Sequence, residues 1–454
     1  MTEPVRPSAP LRRELGLFSA TMLVVSGIIG SGIFFTPAEV ARALPDGPWI
    51  LVVWGVGGLV ALAGALTYAE LGAMLPDAGG PYVYIREAFG ELPAFLYGWM
   101  CLATIATAAT AAVAMSFGGY IGRAVGADSP AFSLVVGSAA IALLTFTNCL
   151  GIRPGAALQN VLTLAKIAAL AGLILLGAAL WAKLGAPPPV AAPPAPRTSL
   201  AAGLAAAFVP VLFTIGGWQQ MNMVAGEVRD PQRLIPRALG LGIAIVIACY
   251  LGANAVYLRA LGRDGLAASP AIAADTAVLL AGPAGARFMT AAVAISVLGF
   301  LNVVLLANPR IFFAMARDGI FFRAAAAIHP RTGAPVGSIL VMGAWSVALL
   351  FISRGDIGWL LGGVVFADWI FFGLGAASVF VLRRRRPDLA RPYRVLGYPV
   401  VPALFVVAAV IGVGSSFVAS PRASLAGVGI VALGVAAFRV FIARRGGPGR
   451  AGIP

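Results

Sequence analysis

The sequence predicts an all-α integral membrane protein of twelve transmembrane helices, and three observations carry that prediction. Of 454 residues, 60% are hydrophobic and only 11% charged, with mean hydropathy +0.94, whereas soluble chains are about a quarter charged. The charges are gathered into short stretches that separate long runs with none. Those runs approach or exceed the roughly 20 apolar residues that a helix needs to cross hydrocarbon.

Taken in order, the charge-free runs cover roughly 15–38, 47–69, 92–122, 129–152, 154–182, 198–226, 238–258, 288–309, 332–353, 357–382, 395–421 and 423–438. The fifth and tenth are each interrupted by one charge, Lys166 and Asp368. The stretch 266–282 is apolar but short and alanine-rich, and reads as a loop helix. Assigning alternate ends of the runs to opposite faces puts 22 lysines and arginines on the face shared with the N-terminus and 9 on the other. By the positive-inside rule both termini are cytoplasmic, in a cell inner or plasma membrane. The run Arg383 to Arg386 reads as part of that bias, with lipid-headgroup binding as its other use.

The organisation that follows is a cytoplasmic tail 1–14, a core 15–394, two further spans in 395–443 and a C-terminal tail 444–454. Within the core, spans one to five lie in 15–182 and spans six to ten in 198–382. A proline-rich external linker, 185–197, joins them in extended form. The net charge of +15 therefore marks membrane-facing loops and not a nucleic-acid surface. Cys101, Cys149 and Cys249 fall inside apolar runs and read as small buried hydrophobes. No signal-peptide cleavage pattern precedes the first span, and no metal- or cofactor-binding motif is present.

Span one is the informative one. Gly27-Ile28-Ile29-Gly30-Ser31-Gly32-Ile33-Phe34-Phe35, closed by Thr36-Pro37, places three glycines and a serine at the centre of an apolar run. Such residues interrupt a helix, and backbone groups freed inside a bilayer are tolerated only where they are buried in protein or line a cavity. Span six repeats the design at Phe213-Thr214-Ile215-Gly216-Gly217-Trp218, with Gly32 and Gly217 185 residues apart. Two broken helices, each leading five spans, point to an inverted-repeat transporter with a midplane site. A membrane enzyme would need a clustered nucleophile, base or metal set, and the chain has one histidine, His329, in a loop and scattered acids. A channel would show repeated pore-lining rings.

Several segments resemble the amino acid–polyamine–organocation (APC) superfamily. Gly30-Ser31-Gly32-Ile33-Phe34 is similar to its first-helix signature. Tyr68-Ala69-Glu70-Leu71 followed by Pro76, Gly79-Gly80 and Tyr82 is similar to its second-helix end. Phe213 to Trp218, then Glu227, Pro231, Arg233, Pro236 and Arg237, resembles its sixth helix and the turn after it. Ala314 to Gly319 and Arg391-Pro392-Tyr393-Arg394 complete an ordered set spanning nearly the whole chain, most like the L-type and bacterial amino acid exchangers.

The resemblance implies a leucine-transporter-like 5+5 inverted repeat with two extra helices, and alternating-access transport of L-amino acids without sodium. It implies that the substrate carboxylate meets the amides of Ser31 and Gly32 beside Gly30, and the ammonium the carbonyls of Ile28, Phe213 and Gly216. Phe213 resembles an aromatic that closes over substrate, although helix packing would also explain it. Thr214 stands where relatives often carry alanine. Ile33 and Ile215 wall the pocket or face lipid. Lys166, in Asn160 to Lys166, matches a fifth-helix lysine that takes the place of a sodium ion; its other reading is snorkelling to the membrane edge. Asn302 matches a polar position near the pocket, with packing the alternative.

For Asp368 the resemblance assigns nothing. Proton coupling, an outer gate, a partner for a substrate's extra cation and a structural carboxylate stay open, and with them cationic amino acid or polyamine transport. Glu70 reads equally as a gate contact or a solvated helix end. The implied partners are an amino acid and the bilayer. The loop Gly122 to Ser133 holds no cysteine for a disulfide-linked heavy subunit, which leaves a monomer or weak homo-oligomer.

Overall fold

The computed structural model describes residues 11–187, 199–357 and 364–445. Most of the proline-rich linker, the start of the tenth run and the outer parts of both tails, including the arginines there, lie outside them. Among the described residues the secondary structure is helical, apart from one isolated bridge between Leu15 and Val228.

The first run is broken as its composition demands. Helix α1 (Leu17–Ile28) ends at Ile29, whose backbone turns extended; a 3-10 turn (Gly32–Phe34) follows, and α2 (Thr36–Ala43) restarts with Pro37 in its first turn. Then come α3 (Gly47–Met74), the connecting helix α4 (Pro81–Phe89), and α5 (Glu91–Met100), which continues through a π turn (Cys101–Ile105) into α6 (Thr107–Val125). Helices α7 (Pro130–Cys149) and α8 (Ile152–Ala179) finish the first set.

The second set opens on α9 (Leu200–Thr214), which stops at Ile215 and resumes as the short α10 (Gln220–Met223). At Gly217 the backbone has φ +103°, a conformation that glycine adopts without strain. Helix α11 (Pro231–Ala268) bends at Gly262, and α12 (Ile272–Ala307) at Ala281 and Gly282. The stretch 266–282, expected as one loop helix, is instead the end of α11, a turn and the first piece of α12 before its bend. Helices α13 (Pro309–Arg317), α14 (Val336–Ile352), α15 (Val364–Arg385), α16 (Val400–Ala419) and α17 (Pro421–Arg445) complete the order.

Nine helical stretches among the described residues are long and apolar enough to cross a membrane. Three shorter apolar helices, α1, α9 and α14, stand at the remaining runs. Packing brings the two sets together pairwise: α3 lies along α11, α6 against α12, α2 against α9, and α1 against α10 and α11. Small residues permit these approaches. A Cβ on Gly57 would fall 2.5 Å from Val211, and one on Gly242 2.5 Å from Val24.

Candidate functional site

The two helix breaks meet. A Cβ on Gly217 would fall 1.9 Å from the Gly27 carbonyl oxygen, and one on Gly27 2.5 Å from the Gly217 oxygen. Backbone lies against backbone, so neither position has space for a side chain. Around this contact is a cavity of about 430 Å³, within the range typical of small-molecule sites. Ile28, Gly30, Ser31 and Gly32 line it from the first break, and Phe213, Thr214, Gly216 and Gly217 from the second. Its exposed lining residues are Phe35, Glu39, Phe213 and Ile357, whereas Met223, Val304 and Asn308 at the other end are buried. The cavity is thus open to one face and closed to the other.

The breaks leave backbone polar groups without partners in the protein. Among the described residues, the amides of Ser31, Gly32 and Ile33 have no hydrogen-bond partner, and neither does the Gly216 carbonyl. The Ile28 carbonyl is already engaged, accepting from the Gly30 amide at 2.9 Å and the Tyr250 hydroxyl at 3.1 Å. The Phe213 carbonyl accepts from the Gly216 amide at 3.2 Å. The Ser31 and Gly32 amides on one wall of the cavity and the free Gly216 carbonyl on the other suit a zwitterion with carboxylate and ammonium on one carbon.

Lys166 is 1% exposed and does not snorkel. Its ammonium donates to Ser26 Oγ at 2.9 Å, to the Ile29 carbonyl at 2.6 Å and to the Ser296 carbonyl at 3.0 Å. Ser296 Oγ in turn donates to the Gly30 carbonyl at 2.8 Å. One cation thereby ties the first break to α8 and α12, with all three of its donors used. Gly299 makes room: a Cβ there would sit 3.0 Å from Lys166 Nζ.

Other predicted residues divide between wall and scaffold. Thr214 Oγ1 lies 2.7 Å from Thr36 Oγ1 and reaches back to the Pro210 carbonyl. Ile33 and Ile215 are buried in protein rather than lipid-facing, and Ile33 does not line the cavity. Asn302 also lies off the cavity wall. It donates to Gln159 Oε1 at 2.8 Å and accepts from Asn148 Nδ2 at 3.1 Å, while Gln159 contacts Ser26. Packing, not the pocket, is its place.

Asp368 lines the cavity, with Trp369 and Phe372 beside it. Glu70 is fully buried: Arg383 donates to it at 2.8 and 2.6 Å, and the Val395 amide at 2.7 Å. It is not a solvated helix end. His329 stays in its loop, within 3.3 Å of Thr332.

Two features escaped the sequence. Tyr250 bridges the breaks, its hydroxyl also lying 3.4 Å from the Thr214 carbonyl. Gln220 lines the cavity with its Oε1 buried and unpartnered. Neither carries a charge or interrupts a span, so no periodicity marks them.

The comparisons with known proteins agree with this architecture. The family model described as amino acid permease matches residues 15–438. The chain is 33% identical over 399 residues to the b(0,+)-type amino acid transporter 1 of Mus musculus, covering 87% of this chain and 81% of that protein. It is 34% identical over 403 residues to the large neutral amino acids transporter small subunit 2 of Homo sapiens, covering 87% and 74%. It is 31% identical over 445 residues to the human cystine/glutamate transporter, covering 97% and 87%. A family match over nearly the whole chain, laid on apolar helices and paired breaks, leaves one assignment: the chain belongs to the amino acid permease family of the APC superfamily, as a multi-pass membrane transporter and not an enzyme.

Proposed function

We propose that the chain is a sodium-independent secondary active transporter of L-amino acids. In this reading it has twelve crossings, built as two inverted five-helix units, 15–182 and 198–382, followed by two added helices. Both termini are cytoplasmic and the cavity faces outward. The observation that carries the proposal is the meeting of the two breaks at Gly27 and Gly217 on the wall of one cavity, with Lys166 bracing the first. The pairwise packing of α3 on α11 and α6 on α12 is what an inverted repeat would produce.

The substrate carboxylate sits on the free amides of Ser31 and Gly32, where Gly30 and Gly32 permit close approach. The ammonium faces the Gly216 carbonyl, with Ile28 and Phe213 nearby. Thr214 shapes the side-chain end, and Phe213, exposed at the mouth, folds over the bound substrate. Lys166 supplies, as a fixed cation, the charge that a sodium ion would otherwise bring to the Ile29 carbonyl. Two relatives of similar identity are named for different amino acids, large neutral ones and cystine or glutamate, so the cargo is set by the walls and not the breaks. The cysteines lie in helices, in keeping with a chain that has no disulfide-linked heavy subunit and works as a monomer or weak homo-oligomer.

The test is counterflow of labelled L-amino acids in proteoliposomes, in sodium and in potassium buffers. Saturable counterflow of equal rate in both is expected. A requirement for sodium would overturn the role given to Lys166, and non-saturable flux would overturn carrier transport. A second reading, favoured by Asp368 on the cavity wall, is proton-coupled symport; Asp368→Asn would then abolish the pH dependence of uptake.

A further inference from the structure

We infer that Asp368 is a specificity residue for substrates with a cationic side chain, so that basic amino acids are preferred cargo. The inference rests on the transporter reading above and deepens it. A carboxylate within a membrane span is costly and calls for a partner. Among the described residues Asp368 makes no hydrogen bond or ion pair. Nor does any described lysine, arginine or histidine line the cavity; Lys166 is outside it and fully engaged. The lining instead holds two acids, Asp368 within and Glu39 at the mouth. That balance draws cations in and leaves the inner acid to be neutralised by what enters.

Geometry sets the carboxylate beside the zwitterion site rather than on it. Asp368 and Phe372 are one turn apart on α15 and share a face. Phe372 reaches to 4.0 Å from where a Cβ of Gly216 would be. The same face therefore adjoins the second break, whose free carbonyl serves the α-ammonium. Around Asp368 the wall is aromatic, with Trp369, Phe372 and Tyr97 all lining the cavity. Tyr97 stands just before the π turn at Cys101–Ile105, an irregularity often found at functional sites. Carboxylate plus aromatic faces is the chemistry that holds an organic ammonium or guanidinium. A proton would need the carboxylate but not the rings.

The experiment is competition against labelled L-leucine counterflow at one pH, using pairs that differ only in the side-chain cation: L-lysine against L-norleucine, and L-arginine against L-citrulline. The basic member of each pair should compete about tenfold or more tightly. Asp368→Asn should collapse that ratio toward one, and Asp368→Glu should keep most of it. Cadaverine, with no carboxylate for the break, should compete weakly. Should Asp368→Asn fail to fold, thermal stabilisation of the purified wild-type protein reads the same preference, larger for lysine than for norleucine. Equal competition within each pair overturns the inference while leaving amino acid transport intact. So does a variant that keeps the preference but loses pH dependence, which would assign the carboxylate to protons. Absence of saturable counterflow for every amino acid overturns the transporter reading itself.

Discussion

At the scale of single residues, the site depends on what is missing as much as on what is present. Gly217 and Gly27 touch through their main chains, so an added methyl on either meets backbone that cannot rotate away. Gly32 differs: its Cβ would fall 2.6 Å from Thr214 Cγ2, the end of a side chain. Gly217→Ala is expected to abolish transport beyond rescue, while Gly32→Ala is partly rescued by Thr214→Ala; uptake in reconstituted vesicles separates the two. Lys166 is the opposite case, a charge whose three partners are fixed. Lys166→Ala removes the ammonium from the Ile29 and Ser296 carbonyls and from Ser26 Oγ, and transport should fall about tenfold or more. Wild-type rates in that variant would show that the lysine does not hold the break.

Between elements, the closed side of the molecule is bound by ion pairs that also fasten loops. Arg310 on α13 and Glu227, after α10, are each 1% exposed and pair at 2.7 and 2.9 Å. The Glu227 carbonyl accepts the Glu14 and Leu15 amides at 2.8 and 2.9 Å, drawing the start of the chain onto the turn after α10. Removing one member of a buried pair costs about 3–5 kcal/mol because the other charge is stranded. Glu227→Gln or Arg310→Met alone should therefore lower the thermal midpoint clearly, and the double variant by less than the sum of the two. A second clamp joins α4 to the turn after α13, where Tyr82 and Arg86 both reach Asp318. Burial first, then the bond and charge of Asp318, hold the Tyr82 phenol well above its usual range, so it stays a neutral donor across physiological pH.

For the molecule as a whole, the prediction concerns which face the cavity opens to. In a background with Cys101, Cys149 and Cys249 replaced by alanine, Glu39→Cys should react with a membrane-impermeant thiol reagent applied outside. Asn308→Cys, at the buried end, should be protected from it. Labelling in the reverse pattern would invert the assigned orientation. Much of this architecture was legible in the sequence because a bilayer penalises exceptions. Charge-free runs marked the helices, glycines inside two of them marked the breaks, and a lone lysine in another marked a brace. What the sequence left open was facing and pairing. Asn302 lies with Asn148 and Gln159, Glu70 with Arg383, and Tyr250 across both breaks. Each depends on residues far apart in the chain meeting in space, and a uniformly apolar helix has no polar face to reveal its rotation.

The contact between Gly27 and Gly217 has one more consequence. Because this contact is built from main chain, a side chain at either glycine destroys it. In the transporter proposed above, the grip on what all amino acids share is main chain, whereas the surrounding walls, where Thr214, Asp368 and the aromatic rings stand, are side chains that do not take part in that contact. Exchanging a few wall residues around that main-chain grip would then change the cargo.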